Sequence, residues 1–131
     1  MVPPRVLVVS PDRALRALVR AELREAGYDA IGASSFAAAL EYPPAERERG
    51  PVRLLIVHEG AVDPAGEFLE RARLQFPGSR FLLVAGEGSG GTVPAGPWDV
   101  IARRPVAIGE IVARVRALVP LPPALERPID T

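Results

Sequence analysis

The chain has 131 residues, 48% of them hydrophobic and 24% charged, and its 16 Lys+Arg balance 16 Asp+Glu. That composition fits one folded domain of ordinary size and lacks the broad basic footprint of a nucleic-acid binder. With no cysteine there is no disulfide, thiolate metal site or cysteine nucleophile. No apolar run is long enough to span a bilayer, and MVPPRVLVVS lacks a signal-peptide core, so a cytoplasmic location is the default expectation. All 16 basic residues are Arg, and there are 15 prolines. A GC-rich genome and a thermophilic source both fit that bias.

Arg5–Val9 (RVLVV) reads as a first strand buried on both faces. Ser10-Pro11-Asp12 predicts a helix start, with Ser10 as N-cap, Pro11 at the first helical position and Asp12 in the first turn. Leu15, Leu18, Val19, Leu23 and Ala26 follow at helical spacing, with Arg13, Arg16, Arg20 and Arg24 on the opposite face. Gly27 is the expected C-terminal glycine. Tyr28–Ala33 predicts a second strand. Ser35 caps a helix to about Glu41 that buries Phe36, Ala39 and Leu40, and Pro43-Pro44 stops it. AERERG, residues 45–50, reads as a charged linker.

Val52–Val57 is the third predicted strand and runs into His58-Glu59. Asp63-Pro64 opens a helix burying Phe68, Leu69, Ala72 and Phe76, and Pro77-Gly78 ends it. Arg80–Val84 and Asp99–Ala102 are the fourth and fifth strands. Between them lie five glycines, Gly86, Gly88, Gly90, Gly91 and Gly96, with Pro94 and Pro97. Each interior Gly costs a helix about 1 kcal/mol and each Pro about 3 kcal/mol relative to Ala, so no regular helix is expected there. A last helix runs from about Ala107 to Val119, burying Ile108, Ile111, Val112, Val115 and Leu118. The domain is set at 1–119, and 120–131 (PLPPALERPIDT, after Val119) is a Pro-rich tail with no DNA-binding domain expected after it.

Strands alternating with helices predict an α/β fold: a flavodoxin-like three-layer α/β/α sandwich around a five-stranded parallel sheet of order 2-1-3-4-5, its fourth helix missing or degenerate. The ligand crevice of such a sheet lies beyond the carboxyl ends of strands one and three. Ser10, Pro11 and Asp12 stand at the first of those ends, and His58 and Glu59 at the second.

RVLVV with its turn into a helix, AGYDAIGASSFAAAL, RLLIV and the stretch from RRP to ARVRALV occur in the order seen in bacterial response-regulator receiver domains. Over about residues 4–119 the chain resembles that CheY-like family. The resemblance implies phosphoryl transfer onto an aspartate. Mg²⁺ on an acidic pair would offset the charge of two anionic reactants, with a Ser or Thr hydroxyl and a Lys contacting the phosphoryl oxygens. At the matching positions this chain has Ser10-Pro11 for the acidic pair, His58 for the acceptor, Ala85 for the hydroxyl residue and Arg104 for the lysine, followed by Pro105. Asp12 and Glu59 carry carboxylates out of register. Imidazole is a poor Mg²⁺ ligand, and Arg grips an anion as a rigid fork. The chain therefore reads as a pseudo-receiver that lacks the acceptor aspartate, with no cofactor, no metal and no enzymatic activity expected.

His58, the only histidine, reads first as a hydrogen-bonded strand-end residue. Beside that stand an anion contact shared with Arg104, a phosphorylated histidine, and a metal ligand without the three or four partners zinc requires. GEGSGG, residues 86–91, follows a strand but has no lysine and no clear helix after it, so a loop is favoured over a phosphate cradle. Trp98, with Val93 and Pro94, marks a candidate interaction surface where the fourth helix is missing, unless that loop folds over and covers the gap. The favoured function is signalling through a protein partner or through self-association as a homodimer, with neither nucleic acid nor membrane as partner. The alternatives are a small-molecule or anion sensor around Ser10, His58, Ala85 and Arg104, and an enzyme using His58 and Glu59 as acid and base.

Overall fold

The computed structural model describes residues 2–63, 65–86 and 93–121. The apolar runs form β1 (Arg5–Val9), β4 (Gly50–His58) and β5 (Arg80–Ala85), with β2 (Asp29–Ala33) and β6 (Val100–Arg103) as the flanking strands. They pair in parallel in the order β2-β1-β4-β5-β6, the order expected from the sequence. Their side chains alternate between two apolar layers. Val6, Val8, Leu54, Ile56, Leu82 and Val84 meet α1 (Arg13–Ala26) and α4 (Ile108–Leu118) on one face. Leu7, Val9, Leu55, Val57, Phe81 and Leu83 meet α2 (Phe36–Ala39) and α3 (Glu67–Gln75) on the other. That is the three-layer sandwich expected of a parallel sheet whose central strands are apolar throughout.

Several local expectations are corrected. Asp12, not Ser10, caps α1: its carboxylate accepts from the Leu15 N–H at 3.1 Å, and the helix begins at Arg13. Ser10 stays in line with β1, buried, with its N–H on the Ala33 carbonyl. Leu18 points outward at 56% exposed, because the buried stripe of α1 runs through Val19 and Leu23. α2 is a single turn, and Leu40 lies past its end, half-buried. The third helix starts later than Asp63, although both Asp63 carboxylate oxygens still accept N–H groups of its first turn, from Glu67 and Phe68.

The stretch read as a charged linker is a small hairpin. β3 (Ala45–Glu46) pairs antiparallel with Gly50-Pro51, and Gly50 turns at φ +79°. Ion pairs hold it down. Arg49 grips the Asp29 carboxylate with two bonds of 2.9 and 3.0 Å, and Glu46 faces Arg5 at 3.8 Å. Arg5 is fully buried, with Asp29 at 3.5 Å. The Arg49 hydrogen bonds hold the Asp29 carboxyl below its ordinary range.

Among the described residues between β5 and β6, namely 86 and 93–99, there is no helix. The rest of that loop, including most of GEGSGG, lies outside the described residues, as does the tail from 122 onward. No helix among the described residues is long and apolar enough to cross a membrane.

Candidate functional site

β4 ends at His58, and the chain turns at once into a short 3₁₀ segment, Glu59–Ala61. The half-buried His58 ring is held from both sides. Its Nδ1 accepts from the Gly60 N–H at 3.2 Å, and its Nε2 lies 3.2 Å from Nη1 of Arg104. A neutral imidazole carries one proton and can accept at one nitrogen only, whereas guanidinium and amide are both donors. In either tautomer, therefore, only one of the Gly60 N–H and Arg104 contacts is a hydrogen bond. A second proton on the ring would break both contacts. Burial, followed by the Arg104 charge, lowers the His58 pKa from its ordinary value, and Asp12 and Glu59 oppose that in part.

The residues singled out from the sequence converge here to different degrees. Arg104 follows β6 and donates its N–H to the Ala85 carbonyl at 3.0 Å, so the ends of β5 and β6 bring it beside His58. Ala85 is buried and offers no side-chain polar atom. Pro11 is exposed and sits near Gly60. Ser10 is present but turned away: its hydroxyl accepts from the Asp12 N–H at 3.1 Å, and its carbonyl accepts from Arg16 at 2.7 Å.

Both nearby carboxylates are engaged by backbone. Asp12 caps α1, and Glu59 accepts from the Gly86 N–H at 2.8 Å, tying the end of β4 to the end of β5. The Glu59 tie was not apparent in the sequence, because it joins residues on separate strands. Among the described residues no three His, Cys, Asp or Glu side chains come close enough together to hold a metal ion. Chemically the site presents one neutral imidazole and one cation at the rim of the sheet.

Val93, Pro94 and Trp98 lie over the α2–α3 face. Val93 and Trp98 pack against its core, and the Trp98 ring meets Phe81 edge-on at 6.3 Å and 69°. Its indole N–H donates to the Pro94 carbonyl at 2.8 Å. A side chain at Gly96 would stand 2.7 Å from the indole and 2.8 Å from Leu69, so only a glycine lets the loop close this tightly. Segment 93–98 thus folds inward over β5, and Trp98 is half-buried.

No family model matches the chain, and no curated protein matches it in sequence. Solved structures do match its fold. A CheY-like response regulator receiver domain from Methanospirillum hungatei JF-1 superposes with a TM-score of 0.69 at 21% identity, over 88% of this chain and 92% of that one. The signal receiver domain of an HD domain-containing protein from Pseudomonas fluorescens Pf-5 gives 0.71 at 18%, over 89% and 94%. A response regulator from Thermotoga maritima gives 0.67 at 18%, over 90% and 98%. The fold is the flavodoxin-like one of CheY-like receiver domains.

Proposed function

We propose that the chain is a receiver-like signalling module of the two-component type that takes no phosphoryl group and acts by binding a protein partner. The observation that carries this is His58. It occupies the strand end where the resemblance places an acceptor carboxylate, its ring lies between the Gly60 N–H and Arg104 and accepts from one of them, and the flanking Asp12 and Glu59 are bound to backbone N–H groups. A carboxylate acceptor and a hard cation with oxygen ligands are what aspartyl phosphorylation requires. The outer side of segment 93–98, whose Val93 and Trp98 side chains pack inward on the core, is the proposed contact face. A homodimer is one assembly that face would serve.

The test is a titration with Mg²⁺ and beryllofluoride, a phosphoryl mimic, read by amide NMR at His58 and Arg104, with intact mass after exposure to acetyl phosphate. The proposal expects no saturable shift and no phosphoryl adduct. Saturable shifts at both residues, or an adduct on any Asp or on His58, overturn it.

A second reading, an anion sensor at His58 and Arg104, draws on one observation. Arg104 is exposed and pairs with no carboxylate among the described residues. An anion that binds only the folded chain there would raise its melting temperature by mass action. The Arg104→Gln variant would lose that rise.

A further inference from the structure

α1 lays a row of arginines over β2, the edge strand of the sheet. The Asp29 N–H and the Ala33 carbonyl point inward, bonded to Pro4 and Ser10, so the Ala30 and Gly32 carbonyls point outward. Two of the arginines find acceptors at this end of the sheet: Arg24 donates to the Ala30 carbonyl at 3.1 Å and Arg16 to the Ser10 carbonyl at 2.7 Å. Arg20 stands between them, and its stem crosses Gly32, where a Cβ would come within 2.9 Å of its Cδ. The outward carbonyl of Gly32 is already taken by the Tyr42 hydroxyl at 3.0 Å. Arg20 Nε is buried and has no hydrogen-bond partner among the described residues. Neither Arg16 nor Arg20 pairs with a carboxylate among the described residues.

Beside this row lies an open cavity of about 520 Å³ lined by Arg16, Arg20, Ser34, Ala38, Glu41 and Tyr42, together with Gly32 and Ala33. Two guanidinium groups against one carboxylate leave the lining positive. Guanidinium forks match phosphate oxygens with paired, charge-assisted hydrogen bonds. The volume exceeds what a bare oxyanion fills, and Ala38 and Tyr42 supply apolar wall for an organic body.

From this we infer that the cavity between α1, β2 and α2 binds a small phosphomonoester, with the phosphate on Arg20 and Arg16 and the organic part against Tyr42. The site is separate from the His58–Arg104 pocket and does not depend on the function proposed above. Arg16 links the two regions through the Ser10 carbonyl, so occupancy here would be felt at the end of β1.

The test uses the whole chain, with the Arg Nε–H resonances and the Gly32 amide followed by NMR. The probes are glucose 6-phosphate, AMP and inorganic phosphate, with sodium chloride at matched ionic strength. The expected result is a saturable shift of Arg20 Nε–H and Gly32 with at least one organic phosphate, tighter than with inorganic phosphate. Arg20→Gln should weaken that binding about tenfold or more, which corresponds to about 1.4 kcal/mol. Gly32→Ala, which forces the Arg20 stem aside, should weaken it also, with the fold of both variants checked by circular dichroism. Shifts that follow ionic strength alone overturn the inference. Shifts confined to His58 and Arg104 overturn it too and favour the sensor reading of that other pocket. Binding by inorganic phosphate as tight as by the esters refutes the organic subsite. Equal binding by Arg20→Gln refutes the site as a whole.

Discussion

Trp98→Ala tests whether the inward-folded loop closes the sheet face above β5. Complete removal of a buried Trp or Phe side chain typically costs about 3–5 kcal/mol. Trp98 is half-buried, which brings that to about 2 kcal/mol, and loss of the edge-on pair with Phe81 adds about 0.5–1 kcal/mol. The Pro94 carbonyl that loses its indole donor belongs to a half-buried residue and regains water, so it adds little. The expected destabilisation is about 2–3 kcal/mol. For a domain of this size that lowers the melting temperature by roughly 8–12 °C. Because Trp98 is the only tryptophan, the measurement should be urea unfolding followed by far-UV circular dichroism, not by fluorescence. Trp98→Phe keeps an aromatic ring against Phe81 and should recover at least half of the loss. A cost below about 0.5 kcal/mol at an unchanged m-value would refute the packing role. Trp98 would then serve the surface alone.

His58 should titrate below its ordinary pKa of 6.5, which NMR can follow on the chain's single histidine. The folded state resists that proton and the unfolded state accepts it, so stability falls as pH drops through the region around and below 6.5 and is level above it. His58→Gln should flatten the slope there, and an unchanged slope would contradict the assignment. Arg5→Met should be nearly neutral or stabilising, because the buried guanidinium makes only long contacts of 3.5 and 3.8 Å to its carboxylates and leaves Nε and Nη2 without hydrogen bonds. Asp29→Ala, which leaves the buried Arg5 facing only Glu46 at 3.8 Å while the exposed Arg49 stays hydrated, should by contrast cost about 3 kcal/mol in chemical denaturation; equal effects from the two variants would be inconsistent with this account. Tyr28→Phe removes a buried 2.7 Å bond to the Val119 carbonyl and should cost about 1–2 kcal/mol, with faster amide exchange at the end of α4.

The sheet was legible because β1, β4 and β5 are apolar through both faces and alternate with helices, a pattern that few architectures share. The helix start at α1 was not, because Ser10 and Asp12 are both good caps and the sequence rule does not choose between them. The choice is made by β1, which holds Ser10 extended against Ala33. The 45–50 hairpin escaped for a similar reason. Its charges look solvated in isolation, and they fold down only because Asp29 and Arg5 arrive from other strands. Of the site, His58 came from the strand-end rule and Arg104 from the resemblance, and the fold sets their side chains 3.2 Å apart. The Glu59–Gly86 tie and the orphaned Arg20 depend on distances between separate elements, which no local spacing encodes.

The outward carbonyls of Ala30 and Gly32 are both occupied, by Arg24 and Tyr42. An exposed edge strand ordinarily offers a template on which another chain can add a strand. Here an incoming strand meets side chains already seated at those carbonyls and a row of cationic stems. In crowded solution this end of the sheet should therefore resist runaway edge-to-edge growth. Any β-mediated self-assembly would have to begin elsewhere on the sheet.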